Sequence, residues 1–433
     1  MTETLTEPGF TKGGVPADGL TAVRERAFQA FETLPVPSQE TEEWRYTDLS
    51  GLDLSQFAPF AGGSRAKSLD GVDERILEAA GEMGERSGLL IQHNSETAMV
   101  HLDPELEERG VRFLGLDEAL RAIPELIEAR LHTLIPADRT KFTALQAAFR
   151  TGGSFVHVPR GVQVELPLQA LTYLDAPGTA VFPHTVLVVE EGAAVTFIDR
   201  YVSPDLESAL AVAGVEIFAG PNAEVRYVSL QDWGRGVTHL SVQRAQIERD
   251  ARVRSLAVTF GADLSRTEVE SVLAGPGGHS EMLGVYFTDG SQHFDHRSLQ
   301  DHIAPNCTSD LLYKGALRDA SRVVYSGLIH IAKGATRSDA FQTNRNIVLS
   351  DEAKADSIPN LEIENNDVRC SHAASVGPVD EDEIFYLQTR GISRDDAERL
   401  IVTGFFQEVL DRVPLEEVRS SLEDAIEAEL RGK

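Results

Sequence analysis

The chain has 433 residues, and its 69 acidic and 40 basic side chains leave a formal charge of −29, so it is long enough for two or three domains with a substantial core. That balance argues against a sequence-independent grip on nucleic acid, which needs clustered Lys and Arg, and against anionic membrane surfaces; its plain consequence is solubility. Cys307 and Cys370 are the only cysteines, which excludes a disulfide framework and points to the reducing cytoplasm.

Residues 1–14 are polar, with no apolar segment of the secretory kind, and read as a disordered tail. No later apolar run approaches the roughly 20 residues of a membrane helix. Val23, Ala27, Ala30, Phe31 and Leu34 recur at helical spacing until Pro35 and Pro37 end the pattern. Trp44-Arg-Tyr46 follows as an extended connection. Leu89-Leu-Ile91 and Met99-Val100 read as short strands, and 116–123 and 144–149 as helices. The expectation for 1–153 is a helical or α/β region with disordered first residues.

From Ser154 the period changes to two. Phe155-Val-His-Val158, Val162-Gln-Val164, Val186-Leu-Val-Val189, Val225-Arg-Tyr227, Val253-Arg-Ser-Leu256 and Val323-Val324 are short and rich in β-branched residues, with turn residues between them. Turn formers fall at Gly192, Asn222, Asp250, Gly278, Asn306 and Gly334, at separations of 30 and then 28 throughout. Gly192-Ala-Ala-Val, Asn222-Ala-Glu-Val and Asp250-Ala-Arg-Val are the clearest copies. A constant spacing built from strand and turn predicts a β-solenoid over 154–372, in which each coil adds strands to stacked parallel sheets. A sandwich of regularly spaced hairpins is the alternative on spacing alone.

Cys370 and His372 stand two residues apart where the β pattern ends, and on a strand they share a face about 6.7 Å apart. A strand cysteine is commonly a small buried hydrophobe, and a strand histidine is commonly hydrogen-bonded structure. The pair is equally a soft half-site for metal, which needs further ligands from elsewhere to close. Cys307 sits at a repeat turn and reads as structural. After it, Asp380 and Glu383 start a helix, Gly391 ends it, and Ser393 caps another with Leu400, Ile401, Phe405 and Val409 on one face. Pro414 breaks that pattern, and Leu415, Val418, Leu422 and Ile426 mark a last helix. Residues 373–433 are thus a C-terminal helical domain, placed to cap the end of the solenoid.

Several of these segments together resemble the SufB/SufD family of iron–sulfur cluster assembly proteins. They are Pro359-Asn-Leu-Glu-Ile363, Val368-Arg-Cys-Ser-His372, Phe385-Tyr-Leu-Gln-Thr-Arg-Gly-Ile392, Phe341-Gln-Thr-Asn-Arg-Asn-Ile-Val-Leu-Ser350, Tyr313-Lys-Gly-Ala-Leu317 and Glu43-Trp-Arg-Tyr-Thr-Asp48. The chain looks like the SufD branch. Ser371 and Ala373 flank the histidine where SufB-type chains place Glu, and 343–349 lacks their acceptor cysteine. The family's Cys-Ser-His-Gly-Ala-Thr reads Cys-Ser-His-Ala-Ala-Ser here, which bears on any glycine-dependent turn after His372.

The resemblance implies a mainly β fold, a right-handed parallel β-helix between an N-terminal α/β segment and C-terminal helices. It implies a scaffold without catalysis, paired with a SufB-like subunit and docking SufC-like ATPases through the C-terminal helices. A cysteine desulfurase system would be served indirectly, and whether the chain pairs with itself as a homodimer when the partner is missing is left open. His372 and Cys370 become the metal half-site for a transient iron–sulfur cluster shared with the partner. Arg345, Lys314 and Phe405 become interface positions. A flavin is implied only for the assembled complex, and no flavin fingerprint occurs.

The other metal-like cluster is Gln292-His-Phe-Asp-His296 with Arg297, Asp301 and His302; His293, Asp295 and His302 fit no familiar cage and read as structural. The chain has no Gly-x-x-x-x-Gly-Lys-(Ser/Thr), so nucleotide hydrolysis has to come from a partner, and neither Gly-x-Ser-x-Gly nor His-Glu-x-x-His occurs. Two other readings compete: an exported-type β-helix enzyme acting on acidic polysaccharide, and a metal-free solenoid binding module.

Overall fold

A computed structural model of the chain describes residues 9–17, 20–66, 68–81, 86–413 and 416–431. Two long sheets face each other, and the chain winds between them, leaving one strand in each per coil. The first sheet begins with the antiparallel hairpin Gly88–His93 and Glu96–Leu102. Leu168–Tyr173, Ala194–Val202, Glu224–Asp232, Arg252–Thr259, His279–Thr288, Thr308–Leu317, Asp339–Val348 and Arg369–Pro378 then add in parallel. The second sheet begins with Arg112–Gly115 antiparallel to Ser154–Val158. It grows in parallel through His184–Val189, Ala209–Ala219, Val237–Ile247, Leu264–Leu273, His293–His302, Arg322–Ile331 and Lys354–Ile363. The fold is therefore a mainly β parallel solenoid of about eight coils, not a hairpin sandwich. The stretch 162–164 forms no strand: wedged after the Pro159–Gly161 turn, it makes one isolated bridge from Gln163 to Ala194.

The sequence repeat has a physical cause in the backbone. Gly161, Gly192, Asn222, Asp250, Gly277, Asn306 and Arg337 all adopt left-handed φ between 57° and 75°. Each donates its N–H to a carbonyl of the next coil, at Glu191, Pro221, Arg249, Pro276, Pro305, Thr336 and Asp367 in turn. Gly, Asn and Asp tolerate this conformation best. In two coils the left-handed residue is not the one expected from spacing: it is Gly277 rather than Gly278, and Arg337 rather than Gly334. The coil is not a fixed 28 residues either, because turns of different length are absorbed while the strands stay in register. Behind five of these seven residues a small side chain fills the inner corner: Ala193, Ala223, Ala251, Cys307 and Ser338 are all buried, while Val162 and Gly278 stand at the other two. Cys307 is one member of that column, its Sγ donating to the Gly275 carbonyl at 3.3 Å.

The N-terminal end of the lumen is closed. Leu106, Val111 and Phe113 plug it against Val156, Val158 and Leu168. Outside the second sheet, helices Thr21–Thr33 and Lys141–Phe149 bury Phe28, Phe31 and Phe149 beside Phe10 and Phe182. Phe149 meets Phe10 and Phe28 edge-on at centroid distances of 5.1 and 6.0 Å. Phe10 belongs to this core, so the ordered chain includes part of the stretch read as a tail; residues 1–8 lie outside the described residues.

The C-terminal helices do not cap the solenoid. Helices Glu381–Thr389, Arg394–Leu410 and Glu416–Arg431 fold back along the first sheet. Val402, Phe406, Val409 and Leu410, with Leu422 and Ile426, cover its outer residues Val228, Leu256, Val258, Leu283, Val285 and Leu312. The buried stripe of Arg394–Leu410 is thus rotated from the one expected: Leu400 is 54 % exposed. The outer face of the first sheet is apolar at alternate positions and would otherwise lie in water, which is why it wins the helices. Pro414 and Leu415 lie outside the described residues, as does the Val418 side chain. No described helix is long and apolar enough to cross a membrane.

Candidate functional site

With the helices on its flank, the C-terminal end of the solenoid stays open. Lys354–Ile363 and Arg369–Pro378 are the last strands of the two sheets, and each pairs on one side only. Most of their residues are exposed or half-buried. Ile363, Val376 and, one coil inward, Phe341 are large apolar residues left 41–45 % exposed. An unpaired strand edge is a template for another chain.

Cys370 and His372 lie on this terminal strand, paired in register with Ala340 and Gln342. Cys370 packs with Ile331, Ala340 and Leu361, so its face is the lumen face, and the strand's period of two puts His372 on the same face. The strand runs straight through Ala373 to Pro378; no turn follows His372, and the missing glycine has no structural consequence. Cys370 is half-buried and His372 exposed. Burial, and then the Asp339 carboxylate, push the Cys370 thiol above its ordinary pKa. Within the chain alone this thiol is therefore not activated, and only a nearby cation would offset both effects. Two donors on one open face fit half of a four-coordinate site.

The structure brings Lys314, Arg345 and Phe405 together, away from Cys370 and His372, and does so within one chain. The Lys314 ammonium, nearly buried, pairs with Glu408 at 2.6 Å, donates to the Phe405 carbonyl at 2.8 Å and stands 4.7 Å from that ring's centre. Arg345 reaches Glu408 at 3.6 Å, and these cations hold the Glu408 carboxyl below its usual range, the Lys314 hydrogen bond first. The cluster fastens helix Arg394–Leu410 to the first sheet.

The histidine-rich strand His293–His302 is divided between the two faces of its sheet. Burial tends to raise the Asp295 pKa, but Arg266 above all, with Arg297 and a 2.6 Å hydrogen bond from Thr47, leaves it below the ordinary value. Arg266 also lies 3.8 Å from the centre of the Trp44 ring and donates to the Glu43 carbonyl. The Glu43-Trp-Arg-Tyr-Thr47 segment is thus a clasp from the N-terminal region onto the solenoid. His302 shares a 2.8 Å hydrogen bond with Ser309, and burial lowers its pKa to about 4. These residues are not converged on a metal.

Sequence reasoning passed over one group. His132, His184 and Glu216 place potential ligand atoms within 4.8 Å of one another. Glu216 already accepts the backbone N–H groups of His132, Leu134 and Ile135 and is 2.9 Å from His184 Nε2, while His184 Nδ1 faces Gln146 at 3.0 Å. A metal would have to displace bonds that hold the 132–135 turn, so the group reads as a lock. No short-range pattern could announce it, since its members come from three separate segments.

On the terminal helices, Phe385, Tyr386 and Leu400 are 67, 57 and 54 % exposed. They are three large apolar side chains left in water on the two neighbouring helices Glu381–Thr389 and Arg394–Leu410.

A parallel solenoid with a closed and an open end, carrying a soft-donor pair at the open one, defines a scaffold-like β-helix protein. Comparison with known families gives it a place. The description "SUF system FeS cluster assembly, SufBD core domain" matches residues 172–405, and "SufBD protein N-terminal region" matches 90–170. An iron–sulfur cluster assembly SufBD family protein of Staphylococcus saprophyticus is 31 % identical over 406 residues, covering 91 % of this chain and 85 % of its own. Relatives of the same description from Staphylococcus epidermidis and Staphylococcus aureus are 31 % and 30 % identical with the same coverage. The chain belongs to the SufBD family of iron–sulfur cluster assembly proteins.

Proposed function

We propose that the chain is a scaffold subunit of a SUF-type assembly complex, without catalysis of its own. A SufB-like subunit extends the solenoid at the open end, pairing with the edges of Lys354–Ile363 and Arg369–Pro378. SufC-like ATPases dock on the helices at Phe385, Tyr386 and Leu400. His372 offers a ring nitrogen, and Cys370 a thiolate once a cation is present, to iron of a nascent cluster whose other ligands come from the partner. The cluster is cargo, built at the seam and passed on; a flavin belongs to the assembled complex if it is used at all. The observation that carries this reading is the coincidence of the soft-donor pair with the one end of the lumen that the chain leaves uncovered.

The test is iron and sulfide content of anaerobically purified complexes, with size-exclusion chromatography as the check on assembly. His372→Ala should leave the complex intact and sharply lower its cluster content. Cys370→Ser should act in the same direction and more mildly, because the partner's ligands still anchor the cluster; Cys307→Ser should have no such effect. An intact His372→Ala complex with wild-type cluster content would sink the ligand assignment, and loss of the complex would make His372 an interface residue instead.

A further inference from the structure

Directly inward of His372 lies Gln342, its register partner on strand Asp339–Val348. Gln342 is fully buried, and neither its Nε2 nor its Oε1 has a hydrogen-bond partner among the described residues. A buried amide with nothing to bond is costly and calls for an explanation. Its neighbours in register and across the lumen give it no bond. On the inner side Gln342 is in register with Leu311, an apolar and fully buried residue. Across the lumen Gly327 makes room for the amide: a Cβ there would come within 2.5 Å of Gln342 Nε2. The nearby Tyr325 hydroxyl shares a 2.8 Å hydrogen bond with Ser298 and makes none with Gln342. On the outer side stands His372, on the same lumen face one strand away, about 4.8 Å in a sheet.

The same strand shows that its polar residues can be satisfied. Asn344 and Asn346 form a closed network with Tyr286 and Ser357, at distances of 2.7–2.8 Å. Gln342 alone on this strand's lumen face holds its amide in reserve.

We propose that Gln342 is the positioning residue of His372. In the chain by itself the amide is unbonded; in the assembled complex its Oε1 accepts the proton of one ring nitrogen, which fixes the tautomer and leaves the other nitrogen for iron. A ligand histidine whose second nitrogen donates to a fixed acceptor is both oriented and more basic. The inference rests on the half-site reading and names what that reading lacks, a support for an exposed ring.

The test uses the full chain in its anaerobically purified complex and compares Gln342→Met, similar in shape without the amide, with Gln342→Glu, which keeps an acceptor. Iron and sulfide content is read beside the nitrogen coupling in electron spin echo spectra of the reduced cluster. In the methionine variant, cluster content should fall about tenfold and the histidine coupling should change. Its melting temperature should stay level or rise, because an unbonded amide has been removed; a packing role alone would lower it. The glutamate variant should keep most of the cluster. Wild-type content and coupling in Gln342→Met, equal losses in both variants, or loss of the complex in Gln342→Met would each overturn the proposal. If His372→Ala lowers the cluster while Gln342→Met does not, the positioning role fails and the half-site stands. If neither does, both fall.

Discussion

Buried polar groups are paired to different degrees toward the two ends of the solenoid, although Thr151 Oγ1 and Gln231 Oε1, nearer the closed end, also lack a partner among the described residues. Near the closed end, Asp199 receives hydrogen bonds from Thr185, Tyr201 and Tyr227 at 2.8, 3.0 and 3.0 Å, and His184 is engaged at both nitrogens. Toward the open end, both nitrogens of His296, the Tyr313 hydroxyl, Gln300 Oε1, His302 Nδ1 and the whole amide of Gln342 lack a partner among the described residues. The apolar packing follows the same division, with a plug and a ring of phenylalanines at one end and unpaired strands at the other. One end is built to be complete in itself; the other retains bonding capacity and bare edges that a second protein can use. The difference separates what holds this fold from what it is for.

The largest expected contrast comes from truncating a side chain at each end. Phe149→Ala, amid four other phenylalanine rings, should cost about 3–5 kcal/mol in urea unfolding. Val376→Ala at the open end should change stability by less than about 0.5 kcal/mol. Comparable losses at the two sites would mean that the open end carries its share of the fold and that the contrast is mistaken.

Acid and base should act with opposite sign on two kinds of buried group, the Asp199 carboxyl and the buried histidines His296 and His302. Burial raises the Asp199 pKa to about 6, against the hydrogen bonds from Thr185, Tyr227 and Tyr201. A carboxyl raised above its unfolded value stabilises the fold fully below about pH 3.8, and that contribution is lost as pH rises through 6. His296 and His302 are lowered to about 4, by burial first. Their stabilisation is complete above pH 6.5 and is lost as pH falls through 4. Asp199→Asn should therefore match the wild type near pH 4 and gain on it up to about pH 7, by on the order of 3 kcal/mol. A difference independent of pH would show that Asp199 is ionised in the fold throughout.

The third effect concerns the clasp between sheet and helix. Lys314→Met removes the ammonium held by Glu408 and the Phe405 carbonyl while keeping most of its packing. Glu408 is 43 % exposed and is rehydrated when its partner leaves, so the loss should be modest, about 1–2 kcal/mol. Hydrogen exchange should rise in Arg394–Leu410 and remain unchanged in the second sheet. Unaltered exchange in that helix would assign its attachment to the Val402 and Phe406 packing alone.

The parts of the molecule that were legible in the sequence are those with short-range causes. Turn residues such as Asn222 and Asp250 mark the coils because a left-handed backbone restricts the choice of residue, and Ser393 marks a helix because its hydroxyl caps the Asp396 N–H. Cys370 and His372 were legible because a strand puts alternate residues on one face. What failed to show depends on which surface each element meets. The helical stripe through Leu400 was misplaced because the first sheet's outer face, and not the lumen end, turned out to be the larger apolar surface. Lys314, Arg345 and Phe405 were recognised as special, but that they would meet one another through Glu408 has no sequence signature. Gln342 lay inside a recognised motif without drawing attention. Its meaning depends on Leu311, Gly327 and His372, one from each of three other strands.

The smallest effect on stability should accompany the largest effect on assembly. Val376 is 45 % exposed on the lumen face of the terminal strand, in register with Asn346. A lysine there has water to point into, so Val376→Lys should alter the chain's own unfolding by less than about 0.5 kcal/mol. In a paired solenoid the next coil would stack on that position and force the ammonium out of water, and natural edge strands use lysine to forbid such pairing. Size-exclusion chromatography of the variant mixed with the proposed SufB-like partner should show the two chains apart, with circular dichroism unchanged. The variant alone should also self-associate no more than the wild-type chain at equal concentration. A complex of wild-type affinity would place the seam elsewhere than the last coil. The open end would then be a bare edge without a partner, and the charge of the chain, at −29, would have to keep it from aggregating.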